Sequence, residues 1–207
     1  PVWYARFDPS GERIVTATAN GEMVVWDAAT GARIAQLDNQ ETVIAPRFSR
    51  DGSRVLAMPA GWNGAAIWDA QTGRLLLKFG ERREGLFFGS EAPFAQFSPD
   101  ETRVLTVMGP TAQLWNATTG ERIAELGEFT DGILDASFSP DGAWIGLASA
   151  DWTAMLVRTD GPGYIRLRGH EGPVNWIDFS PDGARVLTAS ADGSARLYEV
   201  DEWAVLV

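Results

Sequence analysis

Few residues in this chain have the type and spacing that catalysis needs. His170 is the single histidine and there is no cysteine. A Ser-His-Asp triad would have to be built on His170, and a zinc site needs several His or Cys ligands. No Gly-x-x-x-x-Gly-Lys phosphate loop occurs. Adjacent carboxylates such as Asp100-Glu101 and Asp201-Glu202 fall in turn sequences, where Asp serves local backbone hydrogen bonds. The chain therefore reads as a non-enzyme, with no catalytic residue, no metal site and no cofactor expected.

Charge and length narrow the partner classes. The 17 Lys and Arg are outnumbered by 28 Asp and Glu, a net charge of −11. Such a surface repels phosphate backbones, whose affinity comes from Lys and Arg displacing counterions, so nucleic acid is a poor partner. Arg82-Arg83 is the nearest thing to a basic patch. No apolar run approaches the ~18 residues of a membrane span, so no membrane association is expected. Lack of cysteine removes disulfides and favours a cytoplasmic location. The chain starts at Pro1 rather than Met, and the expectation is that it was trimmed from something longer.

Binding residues remain, and the elements that hold them repeat. Phe7-Asp-Pro-Ser-Gly11 returns as Phe48-Ser-Arg-Asp-Gly52, Phe97-Ser-Pro-Asp-Glu101, Phe138-Ser-Pro-Asp-Gly142 and Phe179-Ser-Pro-Asp-Gly183. The Phe-to-Phe spacings are 41, 49, 41 and 41 residues. A second mark follows each Phe after 18 to 20 residues: Trp26-Asp27, Trp68-Asp69, Trp115-Asn116, Val157-Arg158 and Tyr198-Glu199. Each unit reads as a short strand ending at the Phe, a Pro/Asp/Gly turn and a β-rich run such as Arg13-Ile-Val-Thr-Ala-Thr18. A tight turn then leads to a third strand bearing the Trp, and a last hairpin to a fourth. Gly31, Gly73 and Gly120 stand where that hairpin needs positive φ. Four strands and their turns fill roughly 40 residues, the size of one propeller blade.

These marks resemble the WD40 repeat in the style of bacterial chains, Phe-Ser-Pro-Asp-Gly followed by Trp-Asp-Ala-x-Thr-Gly, over essentially the whole sequence. The resemblance implies an all-β chain of five four-stranded blades, at about 1–39, 40–81, 91–128, 132–169 and 172–207. It also implies a hydrogen-bonded His, Ser/Thr, Asp and Trp set, which maps in unit five onto His170, Ser190, Asp192 and Tyr198. Unit four has Phe129 and Val157 at two of those places and is expected to be held by packing. Trp26, Trp68 and Trp115 take the blade-packing position, while Trp144 and Trp203 lie within strands. Rings of the family usually have seven blades, so the five units are expected to belong to a longer chain or larger assembly. A closed five-blade ring is the alternative, in which Asp178 would face Arg6.

The resemblance further implies a non-enzymatic scaffold or sensor with a protein partner. Bacterial chains of this style often carry such repeats behind a signalling ATPase, kinase or protease-like module, so further blades or effector domains are expected. The irregular turns share one face. Trp62 lies in an enlarged turn, Trp152 replaces a turn Gly, and Arg82, Arg83, Phe87 and Phe88 lie in the long link into unit three. Together they propose one aromatic surface flanked by arginines; the alternative for Phe87 and Phe88 is that they fill the space beneath their own loop. The innermost strands offer a second location, a channel site near Arg6, Arg47, Asp178, Trp3 and Trp176 for a small molecule or peptide. A purely architectural role in oligomerisation is the third reading.

Overall fold

The structure, a computed structural model, describes residues 1–38, 41–82 and 93–200. Among them there is no helix, and the strands form five antiparallel sheets in chain order. The first sheet is β1 (Val2–Phe7), β2 (Arg13–Thr18), β3 (Met23–Asp27) and β4 (Arg33–Gln36). The second is β5 (Val43–Phe48), β6 (Arg54–Pro59), β7 (Ala66–Asp69) and β8 (Leu75–Lys78). The third is β9 (Phe94–Phe97), β10 (Arg103–Met108), β11 (Thr111–Asn116) and β12 (Arg122–Leu126). The fourth is β13 (Ile133–Phe138), β14 (Trp144–Ser149), β15 (Ala154–Arg158) and β16 (Tyr164–Leu167). The fifth holds β17 (Val174–Phe179), β18 (Arg185–Ser190) and β19 (Ala195–Glu199). The fourth strand expected in unit five, with Trp203, lies outside the described residues.

Two side-chain motifs make the turns. After the inner strand, Ser49 Oγ bonds Asp51 Oδ1 at 2.6 Å and accepts from Arg54 N at 2.9 Å. Ser98, Ser139 and Ser180 repeat this with Asp100, Asp141 and Asp182. Unit one inverts the pair, with Ser10 donating to Asp8. After the third strand, Asp27 Oδ1 accepts from Ala29 N, Thr30 N and Thr30 Oγ1, and Asp69 repeats the arrangement. The loop then reverses through Gly31, Gly73 and Gly120 at φ of 69°, 76° and 75°. Unit four departs here: Arg158 instead makes a bidentate pair with Asp160, both contacts 2.8 Å.

The sheets stack face on face. Val15, Ala17 and Val25 of the first meet Val55, Ala57 and Trp68 of the second. Leu56, Met58 and Ile67 on the second sheet's other side meet Val104 and Trp115 of the third. Leu105 and Leu114 continue to Ile145 and Met155 of the fourth, and Ala148 and Leu156 to Ile177 and Val186 of the fifth. Each buried Leu or Ile in such a seam contributes roughly 1.5–3 kcal/mol. Arginines six residues after the Phe clamp the rims. Arg13 lies over the Phe48 ring and bonds Gly52 O at 2.7 Å, and Arg54 lies over Phe97 and pairs with Glu101 at 2.7 Å.

Among the described residues the stack has two uncovered faces. Phe7 is 65% exposed, whereas Phe179 at the same place in the fifth sheet is 8% exposed. Trp176 and Leu187, on the far side of the fifth sheet, are 57% and 45% exposed. Asp178 accepts from Ser137 Oγ and Phe179 N, and no ion pair joins it to Arg6. The Arg6–Asp178 contact expected of a self-closed ring is thus not made: Asp178 turns to Ser137 of the fourth sheet, and Arg6 lies near Arg47 of the second.

The seam also sets how substitutions in equivalent turns differ. A Cβ at Gly31 meets nothing, whereas one at Gly73 overlaps the Gln36 carbonyl of the preceding blade. Gly31→Ala should lower stability by about 1–2 kcal/mol, the left-handed strain alone, and Gly73→Ala by clearly more. Urea denaturation of the two variants checks this, and equal losses would contradict the seam geometry.

Candidate functional site

The turn between the second and third strands and the link from the preceding blade lie together on one face of the molecule. Thr130 N in the link before β13 donates to Asp151 Oδ2 in the β14–β15 turn at 3.0 Å. Trp62, in the β6–β7 turn, pairs by a backbone bridge with Arg82 in the next link. Lys78 Nζ sits 3.9 Å over the Trp62 ring and pairs with Glu41 at 2.8 Å, while Trp62 Nε1 donates to Glu41 at 3.4 Å. Burial opposes charge on Glu41, yet Lys78 and Trp62 hold its carboxyl below the usual range. Trp62 is therefore half-buried, one face of its ring covered by an ammonium.

Trp152 is different. It is 55% exposed at the tip of the β14–β15 turn, with φ of 73°. Gly21 and Gly193 hold the corresponding places in the first and fifth sheets at 88° and 86°. Left-handed backbone costs a non-glycine residue about 1–2 kcal/mol. Neighbouring Asp151 is held below the carboxylate range: burial pushes it up, but hydrogen bonds from Thr153, Thr130 N and Ser149 outweigh that. Arg83, Phe87 and Phe88 lie outside the described residues, and the described candidates fall in two places, Trp62 with Arg82 at the second sheet and Trp152 at the fourth.

Under this face lies the hydrogen-bonded set of the fifth sheet. His170, its side chain 2% exposed, has Nδ1 2.9 Å from Asp192 Oδ2 and Nε2 2.8 Å from Thr188 Oγ1. Asp192 is held well below the carboxylate range by Ser194 Oγ, Glu171 N and His170. Tyr198 OH donates to Arg168 O at 3.2 Å. The hydroxyl opposite the histidine is thus Thr188, not Ser190; Ser190 Oγ bonds Gly172 O at 3.0 Å instead. The same mid-strand position carries Thr16 and Thr106, which accept from Trp26 Nε1 and Trp115 Nε1 at 2.8 and 2.9 Å. In the second sheet it is Ala57, and Trp68 Nε1 donates to Asp38 O at 2.6 Å. In the fourth, Leu147 and Val157 replace hydroxyl and indole, and the pair is purely apolar.

The inner strands assemble a charged hub. Arg47 lies near both Arg6 and Asp135; burial, then Arg6, lowers its pKa, while Asp135 opposes. Asp135 accepts from Ile177 N at 3.0 Å, and burial raises its pKa. A register irregularity between Ile133 and Asp135 aims this carboxylate at the next blade. Asp135 was not among the inner-strand residues expected from the sequence, since it lies three residues before Phe138 and reaches the hub only through that irregular register. Trp3 and Trp176 are each 57% exposed. Among the described residues no three His, Cys, Asp or Glu side chains gather as a metal group.

The fold and this site define a propeller-like stack of repeat blades with side chains presented on its turns. The model of the WD domain, G-beta repeat matches residues 120–157 and 163–199. Each matched span begins on or beside the outer strand of one blade and ends on the third strand of the next. WD repeat-containing protein 1 of Gallus gallus is 31% identical over 78 residues, 36% of this chain and 13% of that protein. The chain thus spans about an eighth of the length of that relative. The computationally designed Ika8 protein superposes with a TM-score of 0.76 at 21% identity, over 96% of this chain and 58% of that one. The chain thus carries stretches that match the WD40 repeat at residues 120–157 and 163–199.

Replacing Thr188 by Val leaves the buried Nε2 of His170 without a partner, at a cost of about 1–3 kcal/mol. Ser190→Ala removes bonds nearer the turn and should cost less. Urea titration of the two variants orders them, and a larger loss for Ser190→Ala would overturn the assignment of Thr188.

Proposed function

We propose that this chain is a non-enzymatic scaffold or sensor module that binds a protein partner through its turn face. WD40 repeats generally mediate protein–protein interaction and scaffolding. The observation that carries the reading here is Trp152, a large apolar side chain more than half exposed on left-handed backbone. The fold gains nothing from it, since Gly serves the same turn in other blades. A residue costly to the fold at an exposed tip supports a role in binding. Trp62 and Arg82 extend the surface, with Arg83, Phe87 and Phe88 proposed as its continuation.

A cytoplasmic setting and further blades or an effector module on a longer parent chain belong to the same reading. The uncovered faces at Phe7, Trp176 and Leu187 are where additional blades would stack, and the exchange rates of the amides beneath them report whether anything covers them. The hub around Arg47 and Asp135 is the alternative location for a peptide or small ligand.

The test compares affinity capture from source lysate by the native chain, Trp152→Gly and Trp62→Ala. Trp152→Gly should leave the melting temperature unchanged or raise it by up to about 3 °C, while the captured partner is lost. Undiminished capture by both variants would exclude this face.

A further inference from the structure

The seam between the third and fourth sheets differs from its counterparts. Val157 pairs with Ile145 across the β14–β15 ladder. Trp26, Trp68, Trp115 and Tyr198 pair in the same register with Ile14, Val55, Val104 and Val186. Those rings fill space against the preceding blade where there is one: Trp68, Trp115 and Tyr198 are 1%, 5% and 3% exposed, and Phe79 lies 5.2 Å from Trp115. Beside Trp68 the remaining cavity is about 200 Å³, and beside Tyr198 about 170 Å³. Beside Val157 it is about 1030 Å³, at the upper end of ligand-site volumes of roughly 300–1,000 Å³.

The walls have definite chemistry. Leu126, Met155 and Val157 form an apolar floor, and Ile123 and Tyr164 are exposed beside it at 47% and 56%. Residues 123–128 line the groove consecutively, so the backbone edge of β12 is itself a wall. That edge is free, since β12 is outermost in its sheet. Arg103 occupies the place from which Arg13 and Arg54 clamp the next blade, but among the described residues it makes no close ion pair or side-chain hydrogen bond, only longer-range attraction to Asp100 and Asp160. The Arg166 guanidinium lies 5.9 Å from the Tyr164 ring and has no ion pair among the described residues. Arg158 is neutralised by Asp160, and Glu125 pairs with Arg122. Two guanidiniums without a close ion pair, Arg103 and Arg166, therefore face the groove, and Glu128 is the lining carboxylate in the same condition.

We infer that this groove binds an extended peptide segment of a partner protein, inserting an aromatic side chain over Val157 and placing flanking Asp or Glu carboxylates on Arg103 and Arg166. The aromatic ring takes the space that the blade's own Trp or Tyr ring fills in the other seams. The carboxylates satisfy guanidiniums built for bidentate acceptors, and the free edge of β12 supplies main-chain pairing. This site lies on the outer rim and does not depend on the turn face.

A phage-displayed random dodecapeptide library panned against the whole chain is the probe. The selected peptides should carry Trp, Tyr or Phe next to Asp or Glu. Their binding should fall roughly tenfold or more with Val157→Trp, which fills the groove, and with Arg103→Glu/Arg166→Glu, while Trp152→Gly binds them unchanged. Melting curves identify any variant that fails to fold, and the arginine pair, being on the surface, keeps the test decisive if Val157→Trp does. Selected peptides that are basic or lack an aromatic, or that bind both groove variants undiminished, would overturn the inference, as would a library yielding no binder.

Discussion

The three central sheets of this chain are buried on both faces, and the rest of the structure depends on that. A four-stranded sheet with one wet side alternates apolar and polar residues. Here β6, β10 and β14 run almost wholly buried, so the second, third and fourth sheets must be sandwiched. The seams Val15–Val55, Leu56–Val104, Leu105–Ile145 and Ala148–Ile177 meet that demand in succession. The covalent repeat reinforces it, because a matched span such as 163–199 starts beside the outer strand of one blade and finishes in the next. Stacking of this kind fixes the turns at one face without their contributing to the core, which leaves their side chains available for recognition.

The seams are not filled in one way, and the differences carry the functional argument. Three blades place an indole near a hydroxyl or carbonyl acceptor: Trp26 with Thr16, Trp115 with Thr106, Trp68 with Asp38 O. The fifth uses Tyr198, with His170 bonded to Thr188. The fourth has Leu147 and Val157, losing both the hydrogen bond and the bulk. A buried hydroxyl without its partner would cost about 1–3 kcal/mol; replacing both partners by apolar groups avoids that cost and leaves a space. Trp152 shows the opposite compromise in the same blade, where a turn that accepts Gly elsewhere carries a strained, exposed indole.

Much of this was legible in the residues. Phe-Ser-Pro-Asp-Gly at near-constant spacing encodes a hairpin because Ser and Asp bond each other across it, and Asp-x-x-Thr-Gly encodes the next because Asp27 and Asp69 cap three donors each. Other features were not legible. Thr188 and Ser190 carry the same hydroxyl on the same side of β18, and only depth along the strand decides which meets His170. Asp135 reaches Ile177 N through an irregular register that no spacing reveals. The groove beside Val157 needed the partner blade in place, since a missing ring becomes a cavity only when its neighbours hold their distance.

The central claim is that blade-on-blade burial holds the scaffold, and native-state hydrogen exchange read strand by strand tests it directly. The amides of β6–β7, β10–β11 and β14–β15, covered on both sides, should exchange together and slowest, through global opening. Those of β1–β2 and β18–β19, each bordering an uncovered face, should exchange measurably faster. Uniform protection across all five sheets would contradict the account and would mean that another blade or another copy covers the end faces.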